Sequence, residues 1–363
     1  MTVTFAEKLS RIPHYEPGTS LDDAKARAET PDAVKLASNE SPFPPHPAVI
    51  DAISRAARDI NRYPDPDARA LRRAIADHHE TDPARIALSN GSCELLLAAA
   101  LALCEEGDEI LFAWPSFSIY PYLAPLCGAR EIRVPLGEGY VHDLDAMLDE
   151  VTAATQLLIV CNPNNPTATH IPAERIAAFI EDVPDRTTII VDEAYIEYQT
   201  NDDPDMTLDL LGKHPNVVLL RTFSKCHGLA GLRVGYALCS PQFRAAVDAV
   251  RQPFSVNVLA QAAATEAIRH QDDVVDRVER NVVERVIVEE ELREMGFATA
   301  ESQANFAWID LGDLDEEEVV ESLAKAGVAV RPGTPLGGPG HLRVTYGTHA
   351  ENERFLEALA ALS

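Results

Sequence analysis

Lysine is scarce in this sequence, with six residues (8, 25, 35, 213, 225 and 325) against 25 arginines. Together they are outnumbered 31 to 58 by aspartate and glutamate, a formal charge of −27 over 363 residues. A field of that sign repels nucleic-acid phosphates and anionic lipid, so neither is an expected partner. It fits adaptation to a salty cytosol, where dissolved ions screen the self-repulsion of an acidic surface. Cysteine is sparse too. The six residues at 93, 104, 127, 161, 226 and 239 form no CxxC pair and no Cys/His alternation at ligand spacing, which argues against a disulfide framework and against a metal site. Long apolar runs are missing: the longest, LLLAAALALC at 95–104, is too short to cross a bilayer. MTVTFAEKLSRIPHYEPG at the N-terminus lacks a signal peptide's apolar core, so a cytoplasmic location is expected. There is no internal repeat and no low-complexity tract.

What is present is 46% hydrophobic residues, enough for a large core and for two or three structural units. Between about 85 and 240, the runs EILFA (109–113), QLLIVC (156–161), TTIIV (187–191), VVLLR (217–221) and RVGYAL (233–238) recur with helical stretches between them. Strands that are apolar throughout indicate a mostly parallel sheet covered on both faces, which places the chain in the α/β class. After Pro253 an acidic amphipathic segment runs to about Met295. It is followed by FAWIDL, the helix EEEVVESLAKAG, the strands VAVR and HLRVTY, and a last helix ENERFLEALAAL. The expected organisation is an N-terminal arm (1–40) packed on a small α+β domain (256–363), with a large domain at 41–255.

Chemistry-bearing residues cluster after the strands, where an α/β sheet places its ligands. QLLIVC is followed by Asn162-Pro163-Asn164-Asn165-Pro166-Thr167, TTIIV by Asp192-Glu193-Ala194-Tyr195, and VVLLR by Thr222-Phe223-Ser224-Lys225, with Arg233 eight residues on. Upstream, Ser89-Asn90-Gly91-Ser92-Cys93-Glu94 opens a helix. An aspartate after five apolar residues is costly to ionise without a cationic partner, and a protonated heteroaromatic nitrogen supplies one. Lys225 alone among the lysines follows a buried strand, and a desolvated lysine is suited to forming a Schiff base. Backbone N–H groups of Gly91, Ser92 and Cys93 at a helix start, with Thr222, Ser224 and Arg233, make a phosphate pocket. Singly, each feature has a plain structural reading as a turn, a cap or a surface pair. Four strand ends acting together do not.

The ordered motifs PHYEPG, LASNESPF, NRYPDP, SNGSCELL, CNPNNPT, VDEAYIEY, RTFSKCHGLAGLRVGY, VAVRP and HLRVTYGT span nearly the whole chain. Through them the sequence resembles the fold type I pyridoxal-phosphate aminotransferases and, within these, the histidinol-phosphate aminotransferase family. The resemblance implies pyridoxal 5'-phosphate on Lys225, with Lys225 also shuttling the substrate proton. Asp192 would lie against the ring nitrogen, Asn165 and Tyr195 at the ring oxygen, and Phe117 against the ring face. Gly91, Ser92, Cys93, Thr222, Ser224 and Arg233 would take the coenzyme phosphate. Tyr63 would reach the neighbouring subunit's coenzyme, which implies a homodimer with shared sites. Arg343, Arg331, Tyr15 and Asn39 fall at substrate-binding positions. The implied reaction is ping-pong transamination of L-histidinol phosphate with 2-oxoglutarate, giving imidazole acetol phosphate and glutamate in histidine biosynthesis. The alternatives are an aromatic amino-acid aminotransferase or, further off, a threonine-phosphate decarboxylase. A non-enzymatic coenzyme-binding domain ranks last, because no basic DNA-binding segment is present. Three positions depart from the family pattern: Phe117 stands where tyrosine is common, Cys93 where aspartate is common, and Ala168 where the turn normally has glycine.

Overall fold

The structure is a computed structural model that describes residues 4–14, 18, 20–30 and 32–362. Among these, seven strands form one sheet: β1 (Ile86–Ser89), β2 (Glu109–Trp114), β3 (Arg130–Pro135), β4 (Thr155–Cys161), β5 (Thr188–Asp192), β6 (Val217–Thr222) and β7 (Gly235–Leu238). Their spatial order is β1-β7-β6-β5-β4-β2-β3, and all are parallel except β7, which runs antiparallel to both neighbours. Alternate residues of β4 to β6 serve opposite faces. Leu158, Val160, Ile189, Val191, Val217 and Leu219 enter one apolar cluster, while Leu157, Ile159, Ile190, Val218 and Leu220 enter another. A sheet buried on both sides accounts for the unbroken apolar runs in its central strands.

Two strands of this sheet leave little trace in the sequence. β3 (REIRVP) lies at the edge with one buried residue, so its polar texture reads as a loop, and β1 is four residues long. β7 was expected, but its reversed sense is not written in periodicity. A second sheet holds β8 (Ala298–Thr299), β9 (Phe306–Asp310), β10 (Arg331–Pro332) and β11 (His341–Thr345), in the antiparallel order β10-β11-β9-β8. The acidic segment after Pro253 forms helices at Val258–Ala267 and Gln271–Glu294. Residues 34–35 pair in parallel with 328–329, and Thr345 donates its N–H to Leu36 O at 2.8 Å, which ties this part of the N-terminal segment to the second sheet. Residues 7–11 go elsewhere: Lys8 Nζ donates to Leu126 O at 3.0 Å, at the end of the helix Tyr120–Cys127. Lys35 lies half-buried on the short strand at 34–35, with Glu40 at 2.9 Å.

Beneath the ends of β5 and β6 lies a buried ion pair. Arg221 Nε donates to Glu193 Oε2 at 2.8 Å, and its two amino groups donate to Asp205 Oδ1 (2.9 Å) and Pro204 O (2.7 Å). Thr207 Oγ1 gives Glu193 a second bond at 2.6 Å. Breaking a satisfied buried pair from one side leaves the other charge stranded. Arg221→Met is therefore expected to cost about 3–5 kcal/mol, read as a lowered midpoint in denaturant unfolding at high salt.

Candidate active site

The carboxyl ends of β4, β5 and β6 converge on a cavity of about 320 Å³. Lys225, Asp192, Tyr195, Asn165, Ser92, Cys93, Phe117, Thr222, Ser224, Arg233, Asn39, Arg331 and Arg343 all line it, so thirteen of the residues singled out by sequence meet in one place. Gly91 adjoins it as the N-cap of the helix Ser92–Leu103. Tyr63 does not line it: it is 83% exposed and stacks on Phe254 at 4.7 Å. Tyr15 lies outside the described residues. A larger, more open groove of about 770 Å³ runs beside the exposed Arg69, Arg73 and Arg269 and contains none of the thirteen.

Lys225 Nζ donates to Ser38 O at 3.1 Å and lies 5.4 Å from the Tyr195 ring centre. Burial pushes its ammonium down to about 7, and repulsion from Arg343 and Arg233 adds to this against the pull of Glu40. Asp192 is 2% exposed. Burial pushes its carboxyl up to about 6, held back by a 2.8 Å hydrogen bond donated by Tyr120 to Oδ2. Its other oxygen, Oδ1, is buried and has no partner among the described residues. Tyr120 was not foreseen from sequence. The available signal was its place one helical turn after Phe117, whose ring it meets edge-on at 5.7 Å.

The remaining groups are oriented by their neighbours. Tyr195 OH accepts from Asn39 Nδ2 at 3.0 Å, which leaves the phenolic proton free to donate elsewhere. Arg343 donates to Asn165 Oδ1 at 2.6 Å and to Ala37 O at 2.8 Å, so Asn165 keeps its Nδ2 for another acceptor. Arg331 faces Arg343 across the β10–β11 register, and both are buried. Thr222 Oγ1 donates to Ser224 Oγ at 3.0 Å, and Arg233 Nη1 reaches the same oxygen at 3.4 Å. A Cβ on Gly91 would overlap the Arg233 guanidinium, and one on Gly235 would stand 2.6 Å from Ser92 N. The cradle thus depends on backbone without side chains, as close approach to an anion demands. Ala168, the residue in the turn's usual glycine place, holds φ 63 with its N–H bonded to Asn164 O and its carbonyl to Gln303 N. Those two bonds stabilise a conformation costly for a Cβ-bearing residue.

The arrangement offers an amine that loses its extra proton near about 7, a carboxylate with an open oxygen and an anion cradle within one cavity. In the coenzyme-free protein, labelling of Lys225 by an amine-reactive reagent is expected to rise with pH through about 7 and level off above it, because the neutral form attacks. A rise continuing to the ordinary lysine value of about 10.4 would contradict the assigned environment; peptide mapping after pulse labelling reads the outcome.

With this geometry in place, residues 31–359 match the family "Aminotransferase class I and II". The chain is 40% identical over 349 residues to an aromatic amino acid aminotransferase of Cutibacterium acnes, covering 96% of each protein. It is 42% identical over 362 residues to one of Mycobacterium marinum, covering 98% of this chain and 96% of that one. Among solved structures, the histidinol-phosphate aminotransferase of Sinorhizobium meliloti in complex with pyridoxal-5'-phosphate superposes with a TM-score of 0.90 at 30% identity, covering all of this chain and 98% of the other.

Proposed function

Because this chain belongs to the class I and II aminotransferases, we propose that it transfers the amino group of an aromatic L-amino acid to 2-oxoglutarate. It is a pyridoxal 5'-phosphate enzyme of fold type I. The residues fit that coenzyme: Asp192 presents a buried, partnerless Oδ1, and the glycine-lined cradle is closed to any added Cβ at Gly91 and Gly235. When bound, the coenzyme supplies an electron sink for charge developing at the substrate's α-carbon. Asp192 would meet the ring nitrogen, Tyr195 OH and Asn165 Nδ2 the ring oxygen, and Ser92, Cys93, Thr222, Ser224 and Arg233 the phosphate.

Lys225 Nζ, whose ammonium burial pushes down to about 7, would take the proton from the substrate's α-carbon and deliver it across the intervening nitrogen to the carbon that carried the aldehyde. Arg343, held by Asn165 and Ala37, receives the α-carboxylate in a bidentate fork. Phe117 would lie against the face of the coenzyme ring, and Leu336 gives the cavity apolar surface for the substrate's ring. That pairing of a fixed guanidinium with apolar walls in one cavity carries the reading, and the names of relatives at 40–42% identity support it. A second reading, transamination of L-histidinol phosphate, is favoured by Arg331 beside Arg343, since two guanidinium groups suit a phosphate.

Absorbance of the coenzyme-loaded protein at high salt separates the two. L-phenylalanine or L-tyrosine should convert the bound coenzyme to its amine form at lower concentration than L-histidinol phosphate does, and 2-oxoglutarate should reverse the change. The opposite order would transfer the assignment to histidinol phosphate. The exposed Tyr63, stacked on Phe254, further supports a homodimer in which Tyr63 reaches the neighbouring coenzyme phosphate. Sedimentation should then give twice 39.6 kDa, and Tyr63→Ala should weaken coenzyme affinity without changing that mass; a monomeric, fully active protein would refute the shared site.

A further inference from the structure

Between β10 and β11, residues 333–340 form a loop whose short turn Thr334–Leu336 ends at the cavity. Leu336 is 3% exposed and packs with Trp308 and Ala300. The backbone around it is held on several sides. Gly337 has φ 90, and a Cβ there would stand 2.5 Å from Trp114 Nε1. A Cβ on Gly338 would overlap the Trp308 ring, and one on Gly333 would overlap Gly338 O. Trp308 is stacked on His341 at 4.9 Å, and His341 shares a 3.0 Å hydrogen bond with Tyr140 OH. The Glu316 carboxylate accepts from Thr334 N (2.9 Å) and Thr334 Oγ1 (2.9 Å) at one end of the loop and from Gly340 N (2.7 Å) at the other.

A loop packed at contact distance on two indoles and bonded at both ends has no room to swing. The side chain it delivers is therefore a fixed wall, and a fixed apolar wall selects by volume. Phe117, which also lines the cavity, packs against a different apolar cluster and is set independently.

Resting on the aromatic reading above, we propose that Leu336 is the specificity-determining wall for the substrate's ring, with Gly337 and Gly338 the positioning residues that let it stand against Trp114 and Trp308. Glutamate and 2-oxoglutarate, which carry no ring, do not use this wall; their distal carboxylate turns to Arg331.

The test is a volume series, Leu336→Met, Leu336→Val and Leu336→Ala, in coenzyme-loaded protein. Two unreactive analogues, 3-phenylpropionate and glutarate, are titrated by the coenzyme's absorbance, and kcat/KM is measured for phenylalanine and glutamate. Affinity for 3-phenylpropionate and kcat/KM for phenylalanine should stay near wild type in Leu336→Met and fall in order through Leu336→Val to about tenfold or more in Leu336→Ala. Glutarate binding and glutamate turnover should change by less than about twofold across the series. Equal losses for ring and non-ring ligands, or no loss in any variant, would overturn the proposal; thermal melts show whether Leu336→Ala remains folded, and Leu336→Val serves in its place if not. Failure of the aromatic reading shows separately, as a wild type that ignores phenylalanine and tyrosine. The same series, read with whichever ring-bearing amine the wild type accepts against glutamate, then decides the role of Leu336.

Discussion

A carboxylate buried at the end of a parallel strand, with no cation among the described residues in an ion pair with it, is the constraint that the rest of the site answers. Among the described residues, the Asp192 carboxylate receives a hydrogen bond from a tyrosine that is itself buried, and its second oxygen has no partner. Inside a protein such a group is stabilised as an ion by a donor that arrives with the ligand. Lys225 poses the converse problem, an amine whose burial and arginine neighbours favour the uncharged form. Together they form a site whose electrostatics would be completed, in the reading proposed above, by a protonated ring bearing an aldehyde and a phosphate. The arginines Arg233, Arg331 and Arg343 around it make the cavity strongly basic in a chain of net charge −27. Anionic substrates are thereby drawn to a local field opposite in sign to the global one.

Much of this was legible in the sequence, and for a physical reason. Central strands buried on both faces are apolar along most of their length, so EILFA, QLLIVC, TTIIV and VVLLR announce themselves, and residues within a few positions after each line the cavity. The edge strand Arg130–Pro135 escaped because its outer side faces no partner strand and tolerates charge. The pairing of residues 34–35 with 328–329 escaped because nothing local records a contact nearly three hundred positions away. Tyr120 and Leu336 escaped for different reasons. An aromatic in a helix reads as core, which Tyr120 also is, and only its hydroxyl's 2.8 Å approach to Asp192 reveals the second role. Leu336 sits in a Gly/Pro-rich stretch that reads as an ordinary loop until its glycines are seen pressed against Trp114 and Trp308.

The chain's three departures from the family pattern fall in places where backbone does the work or where apolar surface is wanted. Cys93 lies in the helix start that presents N–H groups, a function indifferent to side-chain type. Ala168 adopts the left-handed conformation that the turn imposes on whichever residue stands there. Phe117 keeps the ring and loses a hydroxyl, so it can pack on a ring face but offers no polar contact there.

The antiparallel strand β7 has a consequence for selectivity among coenzymes. Because Thr222 of β6 pairs with Gly235 of β7, the connection from Phe223 to Val234 leaves and re-enters the sheet at one end, closed at its neck by Phe223 N–H to Val234 O at 3.2 Å. Lys225 stands near one foot of this loop and Arg233 at the other. The sheet's own hydrogen bonds thus set the span between the amine and the guanidinium. The loop would act as a caliper: with Lys225 and Arg233 holding the coenzyme as proposed above, a bound molecule would have to carry its carbonyl carbon and its dianionic end at one fixed separation, and a longer or unphosphorylated analogue would satisfy one jaw but not both.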